Sequence, residues 1–124
     1  MIGLKYLYQT LKDGGNLSCR LGTIKRELGY AWQRVWKGYD NRFWWDMNNA
    51  FINLYTELFK EFRDNMNSHP HNIGHVEWKN ILDKMVNLLE QMWALEDNCE
   101  YGKALKKKNE FFKLFSEYFY DLWD

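Results

Sequence analysis

Several absences bound what this chain does. Its 124 residues contain one proline, Pro70, and little alternation of β-branched residues, which argues against a sheet protein. The two cysteines, Cys19 and Cys99, stand eighty positions apart with no CxxC spacing, so both are expected to be reduced, small hydrophobes. No apolar run approaches the length of a membrane span, and membrane insertion is not expected. The start, Met1-Ile2-Gly3-Leu4-Lys5-Tyr6, brings a charge at position 5 with no apolar run behind it, so no signal peptide is read and the cytosol is the expected compartment. Formal net charge is zero, which disfavours broad coating of nucleic acid. No glycine-rich loop follows a strand, and no serine or cysteine has a motif partner for nucleophilic catalysis.

What the chain has is aromatic mass: seven Trp, eight Tyr and eight Phe, nearly a fifth of its residues. Rings in that quantity favour a packed core or a binding surface over disorder. The length is that of one domain with a real core. Charge is unevenly spread, with eight Lys/Arg against three Asp/Glu in residues 1–42, and nine against fourteen in residues 43–124. Two readings fit: two parts of one domain that attract each other, or a basic lobe that meets an anionic ligand.

Apolar periodicity predicts helices. Ile2, Leu4, Leu7 and Leu11 suggest a short one ended by Asp13-Gly14-Gly15-Asn16. Ile24, Leu28, Ala31, Trp32, Val35 and Trp36 mark a second from about Thr23, a plausible N-cap, to Lys37, with Gly38 as its stop. A long helix starts near Asp46 and carries Ala50, Phe51, Leu54, Leu58, Phe59 and Phe62 up to Met66. Residues 67–74, around His69-Pro70-His71, read as a loop. A further helix runs from His75 to Glu96, a break spans Asp97–Gly102, and a last helix runs from Lys103 to Leu122. Such amphipathic faces need partners, so the fold expected is all-α: a single-domain antiparallel bundle of four to five helices.

Most candidate chemistry has a plain structural reading. His69, His71 and His75 lie within seven residues of one another, but a zinc site needs convergent ligands and a fourth partner, so no metal is expected. Glu57, Glu61 and Asp64 alternate with Lys60 and Arg63 as on a solvated helix face. The lysines at 103, 106, 107 and 108 likewise suit a surface. No cofactor is implied.

The exception is Trp36-Lys37-Gly38-Tyr39-Asp40-Asn41-Arg42-Phe43-Trp44-Trp45-Asp46, too aromatic for a connector. Arg34, Lys37 and Arg42 can hold phosphate or carboxylate groups, and Tyr39, Trp44 and Trp45 can stack on a planar ligand or on another protein. The competing reading makes Trp36 and Trp44 core anchors, Tyr39 a tether of the turn through its hydroxyl, and Asp46 a helix cap.

The pattern Trp36-x-Gly38-Tyr39-Asp40 followed by Trp44 or Trp45, with Glu77-Trp78, Ile81-Leu82 and Met85 after a His/Pro loop, resembles a group of small phage and prophage helical proteins. The likeness covers about residues 32–90, and the doubled Trp44-Trp45 departs from it. What it implies is a nonenzymatic phage counter-defence protein in the cytoplasm of an infected bacterium. Such a protein would be a homo-oligomer that sequesters a nucleotide-derived immune signal, a cyclic nucleotide or an ADP-ribose derivative. Arg34, Lys37 and Arg42 would then hold phosphates, Tyr39, Trp44 and Trp45 the base, and Asp40 the ribose hydroxyls. A protein–protein inhibitor using an exposed aromatic patch is the alternative. A hydrolase of such signals, using Asp40, Asp46 or the histidine loop, is a third.

Overall fold

A computed structural model describes residues 17–124, with side chains from residue 21. The helix expected over residues 2–12 and its glycine turn lie outside the described residues. Among the described residues the protein is all-α, with five helices: α1 (Leu17–Lys37), α2 (Arg42–Trp45), α3 (Met47–Asn65), α4 (His75–Asp97) and α5 (Tyr101–Tyr118), followed by a 3-10 turn at Phe119–Asp121. The chain forms two compact units, Met1–Met47 and Asn48–Asp124.

In the second unit α4 supplies the spine. Trp78, Leu82, Met85, Leu89 and Met92 recur at alternating steps of four and three, so they share one face, and all are buried. They meet Ile52 and Phe59 of α3 and Phe111 of α5, with Phe51, Tyr55, Phe115 and Tyr118 packed around them. The rings interlock largely edge to face. Phe59 meets Phe111 at 6.0 Å and 89°, and Trp78 meets Tyr118 at 5.6 Å and 64°. Such pairs add about 0.5–1.5 kcal/mol each beyond burial. On the outside of the unit, Arg63 reaches Asp83 and Lys60 reaches Glu90, each at 2.8 Å, tying α3 to α4. Asp124 accepts hydrogen bonds from the backbone N–H groups of Asn67 and Ser68, both at 2.8 Å, which pins the loop between α3 and α4. These bonds hold the Asp124 carboxyl below its ordinary pKa.

The break after α4 is shorter than the sequence pattern suggests. Glu100 N–H bonds to the Leu95 carbonyl and Cys99 N–H to that of Glu96, with Cys99 at φ 60°. That is a Schellman ending with a cysteine in the left-handed position usually given to glycine. The chain therefore re-enters helix at Tyr101 rather than at Lys103.

The first helix also departs from expectation. It begins at Leu17, so Thr23 lies inside the helix and is not its N-cap. Gly38 ends it as predicted, at φ +83° with its N–H on the Arg34 carbonyl at 2.9 Å. The larger difference is in burial. Leu21, Leu28, Trp32, Val35 and Trp36 are exposed, whereas Glu27 is buried.

Candidate functional site

The turn after α1 is organised around one carboxylate. On α1, Glu27, Tyr30 and Arg34 fall at steps of three and four and share a face. Gly38 reverses the chain, and Gln33 Oε1 accepts the Asn41 N–H at 2.9 Å. That brings Asp40 back beneath α1, where it is 1% exposed. Its Oδ1 accepts the backbone N–H of Arg42 at 3.0 Å, and its carbonyl accepts that of Phe43 at 3.1 Å, so Asp40 forms the turn that leads through Asn41 into the short helix α2.

The same carboxylate takes two guanidinium groups. Arg34 Nη1 donates to Oδ2 at 2.5 Å, and Arg42 grips both oxygens, Nε to Oδ1 at 3.3 Å and Nη2 to Oδ2 at 3.0 Å. Arg42 Nη1 reaches on to Glu27 Oε1 at 3.3 Å. Its flat guanidinium lies 4.1 Å from the centre of the Tyr30 ring, a cation–π contact, and Tyr30 in turn meets Trp45 edge-on at 6.1 Å. Two acids and two bases, drawn from α1 and the turn that follows it, therefore neutralise one another. Burial pushes the Asp40 carboxyl up, but the hydrogen bonds from Arg42 and Arg34 outweigh it and leave the group below its ordinary pKa. For Arg42, burial acts downward, and the Asp40 carboxylate more than offsets it, raising the value.

The structure thus places the predicted residues in two sets. Arg34, Asp40 and Arg42 come together, turned toward one another. Lys37, Tyr39, Trp44 and Trp45 are exposed, with Trp44 and Trp45 edge to face at 6.0 Å. Among the described residues Lys37 makes no ion pair. Glu27 belongs to the site and was not foreseen. Its signal was positional, seven residues before Arg34 on the face that carries Tyr30. A carboxylate buried under two arginines with a lowered pKa is poorly suited to accept a proton near neutral pH, so Asp40 fits a structural part better than an acid–base one.

Other candidates are less organised. His69 and His75 rings lie 6.0 Å apart edge to face, with His69 Nδ1 3.0 Å from the Pro70 carbonyl. Among the described residues no three His, Cys, Asp or Glu side chains are placed to hold a metal ion. Lys103 pairs with Glu100, and Lys107 lies 3.9 Å from Glu110, beside an open cleft of about 440 Å³ between α4 and α5. Among the described residues no helix is long and apolar enough to cross a membrane.

Fold and site together define an all-α protein with an ion-braced aromatic turn. No family model, curated protein or solved structure matches the chain.

Proposed function

We propose that the protein is a nonenzymatic binding protein whose contact surface is the aromatic turn of Tyr39, Trp44 and Trp45, and whose partner is another protein. One observation carries this reading: the two arginines of the turn, Arg34 and Arg42, face inward onto Asp40, while the rings of Tyr39, Trp44 and Trp45 face outward. A phosphate drawn to Arg34 or Arg42 must displace a carboxylate already held by short, charge-assisted bonds. Exposed Trp and Tyr rings on a braced backbone are the side chains that most often anchor protein interfaces, because they bury large area with little loss of freedom. The brace keeps the turn in one conformation before binding, which lowers the ordering cost. Affinity capture on the immobilised protein tests the proposal. A partner retained by the wild type and lost with Trp45→Ala, with helicity unchanged, is the expected result. Equal retention by both proteins would overturn it.

A second reading, sequestration of a nucleotide-derived signal, draws on Lys37. This exposed cation stands one residue past Trp36 and two before Tyr39, so a flat anionic ligand has a ring and a charge within reach. Calorimetry with cyclic dinucleotides and ADP-ribose derivatives separates the two readings, since heat that disappears with Lys37→Ala belongs to the second alone. The counter-defence role rests on the resemblance of the Trp36–Asp40 run. Its test is whether the expressed protein protects phage against a signalling defence.

A further inference from the structure

The cleft between α4 and α5 lies wholly within the second unit and is separate from the aromatic turn. On α4, Gln91, Ala94 and Leu95 share an arc of about 100°, and on α5 so do Lys103, Lys106, Lys107 and Glu110. The two arcs line one open space of about 440 Å³, a volume within the range of small-molecule sites. The Schellman turn at Cys99 joins the two banks by a short, hydrogen-bonded connection.

The banks differ in charge. The α4 bank carries no ionisable group, whereas the α5 bank carries three lysines and one acid. The wall of the cleft is almost wholly apolar. Ala94 and Leu95 form part of it, and the lysines add their methylene stems while their ammonium groups stand at the rim. Lys103 is paired with Glu100, and Lys107 lies 3.9 Å from Glu110, a long contact. Among the described residues Lys106 makes no ion pair. Placement along the helix points the same way. The start of a helix is the positive end of its dipole and favours acids. Yet α5 has no acid in its first turn and carries Lys103, Lys106, Lys107 and Lys108 in its first two. Negative charge brought to this bank is therefore stabilised by both the lysines and the helix.

We propose that the cleft binds a small organic anion, its apolar body against Ala94 and Leu95 and its anionic head on Lys106 and Lys107. Complementarity selects this occupant. A neutral apolar molecule leaves the ammonium groups unused, and an inorganic anion leaves the apolar wall in water.

Titration of the full chain followed by backbone-amide NMR tests this with three probes: octanoate, its neutral amide octanamide, and acetate. Octanoate is expected to shift the amides of residues 91–95 and 103–107 saturably, and to bind on the order of ten-fold or more tighter than either other probe. Lys106→Glu combined with Lys107→Glu reverses the rim and is expected to weaken octanoate by a similar factor. Acids near a helix start suit its dipole, so helicity should be kept. Ala94→Glu supplies the cleft with its own carboxylate and is expected to compete with octanoate while every lysine remains. If either variant loses helicity, Lys106→Gln replaces it, with a smaller loss expected from one charge removed. Equal binding of octanoate and octanamide overturns the proposal. So does octanoate binding that these changes leave intact, or the absence of a saturable shift at the cleft. Shifts confined to residues 38–45 would overturn it in favour of the aromatic turn.

Discussion

Trp78 and Phe111 have no exposed surface, packed among Ile52, Phe59, Leu82 and Leu89, whereas Trp32, Trp36, Trp44 and Trp45 stand out from α1 and α2. The side chains are of the same kind in the two units and do opposite things. In residues 48–124 rings such as Trp78, Phe59 and Phe111 build the core, and burial of apolar surface holds three helices together. In residues 17–47 the buried centre is Asp40 with its two arginines, and the rings are left for contact. Two units held by different forces should fail under different perturbations, and that difference can be measured.

The largest effect is expected in the apolar core. Phe111→Ala removes a ring that meets Phe51, Phe59 and Phe115, and should cost about 3–5 kcal/mol by chemical denaturation. The loss should appear as faster hydrogen exchange in α3, α4 and α5. An equal loss of protection at the turn 38–45 would mean the two units unfold as one, and would break the comparison.

Next in size is the charged centre. Asp40→Asn keeps the shape and removes the charge, leaving Arg34 and Arg42 without their shared counter-ion. Both arginines retain some access to water, so the expected cost is about 1–3 kcal/mol, confined to the first unit. Amides of residues 40–45 should exchange faster, while those of α4 do not change.

The pH dependence follows from the same carboxylate. Asp40 titrates below its ordinary value of 3.8 in the folded protein, so below that value the unfolded chain binds the proton more readily. Its contribution is fully present above about pH 4 and is lost as pH falls through the folded value. Exchange at the turn should therefore accelerate in acid while the core resists longer, and Asp40→Asn should flatten that response. A turn equally acid-sensitive in Asp40→Asn would assign the effect to other groups.

Much of the second unit was legible in the sequence, because Trp78, Leu82, Met85, Leu89 and Met92 keep a strict helical period and a helix with one apolar face has few ways to bury it. The first unit resisted the same reasoning. Its apolar period predicts Leu28, Trp32 and Val35 as inward, yet α1 buries the face that carries Glu27, because the return of the chain at Gly38 brings Asp40 and Arg42 to that side. Periodicity registers hydrophobicity and is blind to an ion cluster that neutralises itself. The candidate residues were therefore found, but their division into an inward set and an outward set depends on a turn geometry that no local pattern encodes. The short helix α2 was missed for a related reason, since four residues are below the length at which a period can be seen.

A smaller effect is expected where the second unit does use charge. Lys60 bridges to Glu90 across α3 and α4, but both side chains are well hydrated. Lys60→Ala should cost roughly 0.2–1 kcal/mol, and less at high salt. A larger loss would show that charge matters to both units alike.

The smallest change is expected from a tryptophan, which makes it the sharpest form of the comparison. Trp44 is more than half exposed, and its ring contact is to the equally exposed Trp45, so truncation opens no cavity. Trp44→Ala should alter stability by roughly 0.5 kcal/mol or less. Trp78→Ala, the same substitution at a fully buried ring, should cost about 3–5 kcal/mol. Measured side by side in urea, the pair compares one side chain in two environments. If Trp44→Ala proves as costly as Trp78→Ala, the rings of the turn hold the fold and are not free for a partner. If it is nearly silent in stability and still abolishes capture of a partner, selection has kept a large apolar side chain in water for what it touches outside the chain.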